Sequence, residues 1–191
     1  MSPSTPMPDA LDKKLTELEH RLLTGHEQIG RGVGVPFLLM LYPPGEELRV
    51  RREMNSLVAK LRAEGRQVEV IDCNQVLLDY LHHTGELQRA IRAEKRQPGS
   101  LKEFGIGEPL AEALVERVVT AQHQMTGPGV IVFTRMGALH PFLLPPIIQE
   151  RLAGRHVNVP VVFLVPGEDD NGGDYLFLGF EKARRYRGTY L

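Results

Sequence analysis

Six residues combine reactive side chains with a shared kind of position. Glu46, Asp72, Arg135, His140, Glu168 and Asp169 each lie at or beyond the end of an apolar run that reads as a strand. In a parallel sheet such ends converge on one rim, where ligands bind. Carboxylates, an imidazole and a guanidinium gathered there could hold a divalent cation, move a proton and meet developing charge, the parts of a metal-assisted hydrolase. The same residue types also suit solvated or partner-binding loops, because any α/β protein places polar side chains at that rim.

Sharper chemical templates fail. The stretch FLLMLYPPGEELRVRREM, residues 37–54, reads as strand, turn and helix, the setting of a phosphate-binding loop. Such a loop needs amides that cradle phosphate, a Lys, and a Ser or Thr for magnesium. Tyr42 to Glu47 has no Lys, Ser or Thr, and Glu46 and Glu47 would repel phosphate at the helix start. Neither ATP nor GTP is expected to bind. Gly30, Gly32 and Gly34 precede the strand, whereas a dinucleotide fingerprint follows one. Asp72, without that glycine turn, is expected to be an exposed strand-end residue. The histidines form no His-x-x-x-His pair, and Asp79 with His83, one helical turn apart, does not make a metal site. There is no Gly-x-Ser-x-Gly elbow, and Cys73 lacks an activating motif. No catalytic, metal or cofactor residue is assigned.

The elements that must position these residues follow from periodicity. Residues 1–8, rich in Pro and Ser, are expected to be disordered, with a single α/β domain over 9–191. Leu11, Leu15, Leu18 and Leu22 predict a helix capped by Asp9, ended by Gly25, and packed on its own domain. Strand one, FLLMLY, is apolar on both faces, as in a sheet covered on both sides. The next helix, 46–64, buries Val50, Met54, Leu57, Val58 and Leu61, exposes Arg49 and Arg52, and stops at Gly65. Strand two is 67–72. Two helices follow, from NQVLLDYL and GELQRAIRAEKRQ, then a loop, then a helix with Pro109 at its first position. GPGVIVFTR is strand three, PFLLPPIIQERLAG a helix interrupted by its proline pair, VPVVFLVPG strand four and YLFLGF an edge strand. The turns PPGEE and PGEDD share a pattern: Pro presets the turn, Gly takes an unusual dihedral, and the acids favour a following helix start. The alternation predicts a three-layer α/β sandwich. Its sheet is mostly parallel, Rossmann-like or P-loop-like, with four to five strands and no Walker A loop.

Composition narrows the partners. The formal net charge is −1, which does not mark a nucleic-acid binder, and one cysteine excludes a disulfide within the chain. No apolar run is long enough to span a bilayer, and the first residues lack the pattern of a signal peptide, so a cytoplasmic protein is expected. Basic residues gather after Glu47 (Arg49, Arg51, Arg52) and in the tail (Lys182, Arg184, Arg185, Arg187, with Tyr186 and Tyr190). The tail could touch phosphates and stack on bases. Docking of its tyrosines on the domain is the preferred reading.

Four segments in order carry a resemblance: Tyr-Pro-Pro-x-x-Glu followed by Val-Arg, Thr-Arg-x-Gly-Ala-Leu-x-Pro-Phe, Pro-Gly-Glu after strand four, and the aromatic-Arg ending YRGTYL. From about Gly32 onward the chain resembles BrxB, the small subunit of BREX anti-phage defence systems. His140 stands where the family pattern would have an aromatic residue. The resemblance implies a non-catalytic assembly or adaptor subunit with no cofactor. Its expected partner is PglZ, an alkaline-phosphatase-superfamily protein, alongside other BREX subunits. On this reading the PPGEE turn and its helix form a docking surface. The candidate partner-binding residues are Pro43, Pro44, Glu46, Glu47, Arg49 and Arg52 near the turn, and Arg135, His140, Glu168, Arg184 and Arg185 elsewhere. The alternatives are a metal-dependent nuclease or hydrolase at the rim and a DNA-binding accessory subunit.

Overall fold

The computed structural model describes residues 9–24, 29, 34–170 and 172–191. The predicted disordered segment and Gly25 fall outside them. The elements are α1 (Ala10–Leu23), β1 (Phe37–Tyr42), α2 (Glu47–Ala63), β2 (Gln67–Asp72), α3 (Cys73–His83), α4 (Leu87–Arg96), α5 (Gly107–Gln124), β3 (Gly129–Thr134), α6 (Pro145–Ala153), β4 (Val161–Asp169), β5 (Tyr175–Phe177), β6 (Glu181–Ala183) and β7 (Thr189–Tyr190). The parallel path runs β2-β3-β4-β1-β7, and an antiparallel hairpin, β5–β6, continues from the far end of β4. The fold is thus the expected α/β sandwich with a mostly parallel sheet, though among the described residues it has seven strands instead of four to five, the short β6 and β7 being added. The strand order is neither the 3-2-1-4-5-6 of dinucleotide-binding sheets nor the 2-1-3-4-5 of flavodoxin-like ones.

Alternation along the strands builds two cores, one on each face. Leu38, Met40 and Tyr42 of β1 face the stripe of α2 and the buried leucines of α1. Phe37, Leu39 and Leu41 face the other way, with Phe133 and Phe163, toward α3, α5 and α6. A strand covered on both sides has no polar face, which is why FLLMLY reads as unbroken apolar sequence. Val50, Met54, Leu57, Val58 and Leu61 are all buried, as their spacing requires.

The helix ends obey local rules. Asp9 and Asp12 form a reciprocal capping box on α1. Past α2, Gly65 takes φ 78°, with Gly65 N–H bonded to Arg62 O and Arg66 N–H to Leu61 O. These two bonds are a Schellman motif, satisfying carbonyls the helix end would leave open.

Three local expectations are corrected. The proline pair starts α6 and does not interrupt it, because a missing N–H costs nothing in the first turn. Helix α5 begins at Gly107, two residues before Pro109. The two Pro-Gly turns are not equivalent: PPGEE leads into α2, whereas Pro166, Gly167 and Glu168 lie within β4 itself. Neither Gly45 nor Gly167 has positive φ. Gly167 is required by close approach, since a Cβ there would lie 2.7 Å from Leu176 O in the paired strand.

Candidate functional site

The connection leaving β1 runs through α2 on one face, while those leaving β2 and β3 run through α3, α5 and α6 on the other. The winding therefore reverses at β1, and the loops beyond the strand ends part there, as at ligand crevices of open α/β sheets. Two clefts open at this rim.

The first, about 380 Å³, lies between the start of α1 and the ends of β1 and β4; Lys14, Pro43, Glu46, Arg49 and Glu168 are among its lining. The amine of Lys14 donates to Leu41 O at 2.9 Å, and burial, then the nearby Arg185 charge, lowers its pKa. Arg49 is not the exposed residue expected from the helical pattern. It pairs with Asp9 at 2.8 Å and with Asp12, and reaches Glu46 at 3.7 Å. Its guanidinium is committed to holding α1 against α2. The Arg49 hydrogen bond, helped by the Asp12 N–H, keeps the Asp9 carboxyl below its usual pKa. Glu168, exposed on the extension of β4, forms no ion pair among the described residues.

The second cleft, about 480 Å³, lies beyond β1, β3 and β4, with Pro44, Glu47, Arg51, Asn74 and Arg135 among its lining. Glu47 does not face solvent freely. One carboxylate oxygen accepts from the Tyr42 hydroxyl, and the other is buried without a partner. Burial, then this hydrogen bond, pushes the Tyr42 phenol far up, so it stays protonated as the donor. Asp72, expected to be exposed, is half-buried. Its Oδ1 accepts from the N–H groups of Asn74 and Gln75 and so caps α3, while Oδ2 sits 3.3 Å from Arg135. An Asp directly before a helical run was the available signal.

The other candidates are spread along the same end. The His140 and Phe180 rings stand perpendicular with centroids 5.3 Å apart, and His140 lies 3.7 Å from Glu181. Arg185 pairs with Asp169 and stacks over Tyr190 at 4.5 Å. Tyr190, in β7, accepts from the Tyr186 N–H at 3.0 Å. The tail is thus folded into the sheet, as the preferred reading of its tyrosines has it, and Arg184 and Arg187 are left exposed without ion pairs among the described residues. Arg52 is exposed, as expected. Sequence reasoning passed over two side chains. Leu48, off the α2 stripe, is 71% exposed, and Phe180 is 62% exposed.

The remaining reactive groups have structural partners. Cys73 is fully buried, and burial followed by the Asp72 charge raises its thiol pKa. Asp79 accepts from Gln75 and lies 3.8 Å from Arg117, while His83 bonds the Asp79 carbonyl. Among the described residues no three His, Cys, Asp or Glu side chains group as metal ligands, and no helix is long and apolar enough to cross a membrane.

Fold and rim together define a three-layer α/β protein whose strand ends present a charged, two-cleft surface with protruding apolar side chains. The family model described as BREX protein BrxB matches residues 69–191. The chain belongs to the BrxB family and is a subunit of a BREX antiviral defence system. The match begins inside β2, so the PPGEE turn and α2 precede it. No curated protein and no solved structure matches the chain.

Proposed function

We propose that this protein is a non-catalytic assembly subunit that holds a PglZ-like protein of the alkaline-phosphatase superfamily within the BREX complex, docking through the strand-end rim. The observation that carries the reading is the placement of Leu48 and Phe180. Among the described residues these are the two large hydrophobic side chains left most open to water, and both project from rim segments. Stable interfaces pair apolar anchors with a polar surround. Here Pro43, Glu46 and Arg52 lie near Leu48 in sequence, and His140 packs on Phe180. The prolines stiffen the turn and reduce the entropy lost on docking.

Arg49, Arg185 and Glu47 serve this surface indirectly, because each is engaged within the chain. Glu168 and Arg184 are free to meet a partner. The test is co-purification of the tagged chain with the other system components. Leu48→Asp and Phe180→Asp should each reduce recovery of the PglZ-like protein about tenfold or more, as loss of an apolar anchor does. Both variants should keep native circular dichroism, since neither side chain is buried. Full recovery with both would overturn the proposal.

A further inference from the structure

The second cleft has a chemistry that the docking reading does not use. Three donor-bearing side chains from three separate elements line it: Arg51 from α2, Asn74 from the first turn of α3, and Arg135 just after β3. Arg51 makes no ion pair or side-chain hydrogen bond among the described residues, and neither does the Asn74 side-chain amide. Arg135 has one long contact, 3.3 Å to Asp72, which leaves most of its guanidinium fork open. The floor is apolar and tight. A Cβ on Gly137 would stand 3.1 Å from Leu178 and 3.4 Å from Pro166.

The backbone holds this wall in an unusual state. Among the described residues only Arg135, His156 and Leu178 have positive φ without being glycine, and Arg135 (54°) and Leu178 (56°) both line this cleft. Such conformations persist where the surrounding structure enforces them, and they gather at ligand-binding sites. The volume, about 480 Å³, falls within the range of about 300–1,000 Å³ typical of small-molecule pockets.

We propose that the crevice between Arg51, Asn74 and Arg135 binds a small organic anion. Its single carboxylate or phosphoryl head group meets the two guanidinium groups and the amide, and its apolar body lies on Pro166 and Leu178. The Asp72 carboxylate lies 3.3 Å from Arg135, and Glu47 shares the cleft lining with Arg51, so part of the positive charge is offset. That balance suits one anionic head group and not a polyphosphate, in keeping with the missing phosphate-binding loop. The lining adjoins the anchors in sequence, at Glu47 beside Leu48 and at Leu178 near Phe180, but binding to the chain alone tests the site without any partner.

A series of similar shape and different charge tests it on the full chain: phenyl phosphate, benzoate and benzyl alcohol, followed by amide NMR. Phenyl phosphate and benzoate should saturate in about the millimolar range or tighter, with benzyl alcohol at least about tenfold weaker. The shifted amides should cluster at Asn74 and Arg135 to Ala138. Arg51→Ala sits on a half-exposed helix face where alanine is well tolerated, and it should weaken both anions about tenfold or more. Arg184→Ala, on the tail, should change nothing. Arg51→Lys, which keeps the charge but loses the fork, should fall between. No saturation, equal binding of benzyl alcohol, shifts elsewhere, or undiminished binding by Arg51→Ala would each overturn the proposal.

Discussion

The pair Tyr42–Glu47 shows why residue type and spacing alone misjudge the rim. Glu47 looks like a solvated acid at a helix start, yet the phenol five residues earlier reaches back and takes one of its oxygens. The contact exists because strand alternation turns Tyr42 toward the α2 face of the sheet, a constraint visible only once the layers are assembled. Removing the donor leaves both Glu47 oxygens unsatisfied at a poorly hydrated site. Tyr42→Phe is therefore expected to cost about 1–3 kcal/mol, the penalty of a stranded buried acceptor. Denaturant titration reads it directly, and an unchanged midpoint would show that water reaches Glu47 freely. By the same reasoning Glu47→Lys is a poor probe of docking, because it would disturb the fold first. Leu48 and Glu168 are better placed.

At the scale of elements, α1 is held to α2 in part by ion pairs. It joins the sheet through Leu11, Leu18 and Leu22, and Arg49 ties its first turn to α2 through Asp9 and Asp12. The Asp9 carboxyl is lowered in the folded chain, so its contribution is complete above the ordinary carboxylate pKa and is lost as pH falls through the depressed value. The stability gap between the native chain and Arg49→Ala should thus be widest near neutral pH and narrow in acid, once pH falls through the depressed Asp9 value. A gap of the same size at both would contradict the clamp. Two elements were plainly legible in the sequence: β2 spans the predicted 67–72, and the buried stripe of α2 falls where periodicity puts it. The end of the chain was not. β5, β6 and β7 are two or three residues each, too short for a period; β7 pairs with the distant β1, β5 with β4 and β6 with β5, so their pairing is set by neighbours and not by their own pattern. The proline pair of α6 misled for another reason: proline is read as a breaker unless the helix start is known.

At the scale of the whole molecule, the reversal of winding at β1 concentrates what the sequence scattered. The PPGEE turn, the segment after β3, and the extension of β4 with the hairpin turn at Phe180 come from three distant stretches and share one end of the sheet. Rim membership was legible because apolar runs announce strand ends. Which rim residues are free was not, because that depends on partners brought from afar, such as Asp9 for Arg49 and Asp169 for Arg185. BrxB-family membership makes the chain a BREX subunit. We propose that it docks a PglZ-like partner by this end and not by its helical faces. Hydrogen exchange of the free chain and of its complex with that partner tests this most directly. The account predicts slowed exchange at residues 43–49, 166–170 and 178–187, with α4 and α5 unchanged. Protection confined to α4 and α5, with the rim exchanging as in the free chain, would contradict it.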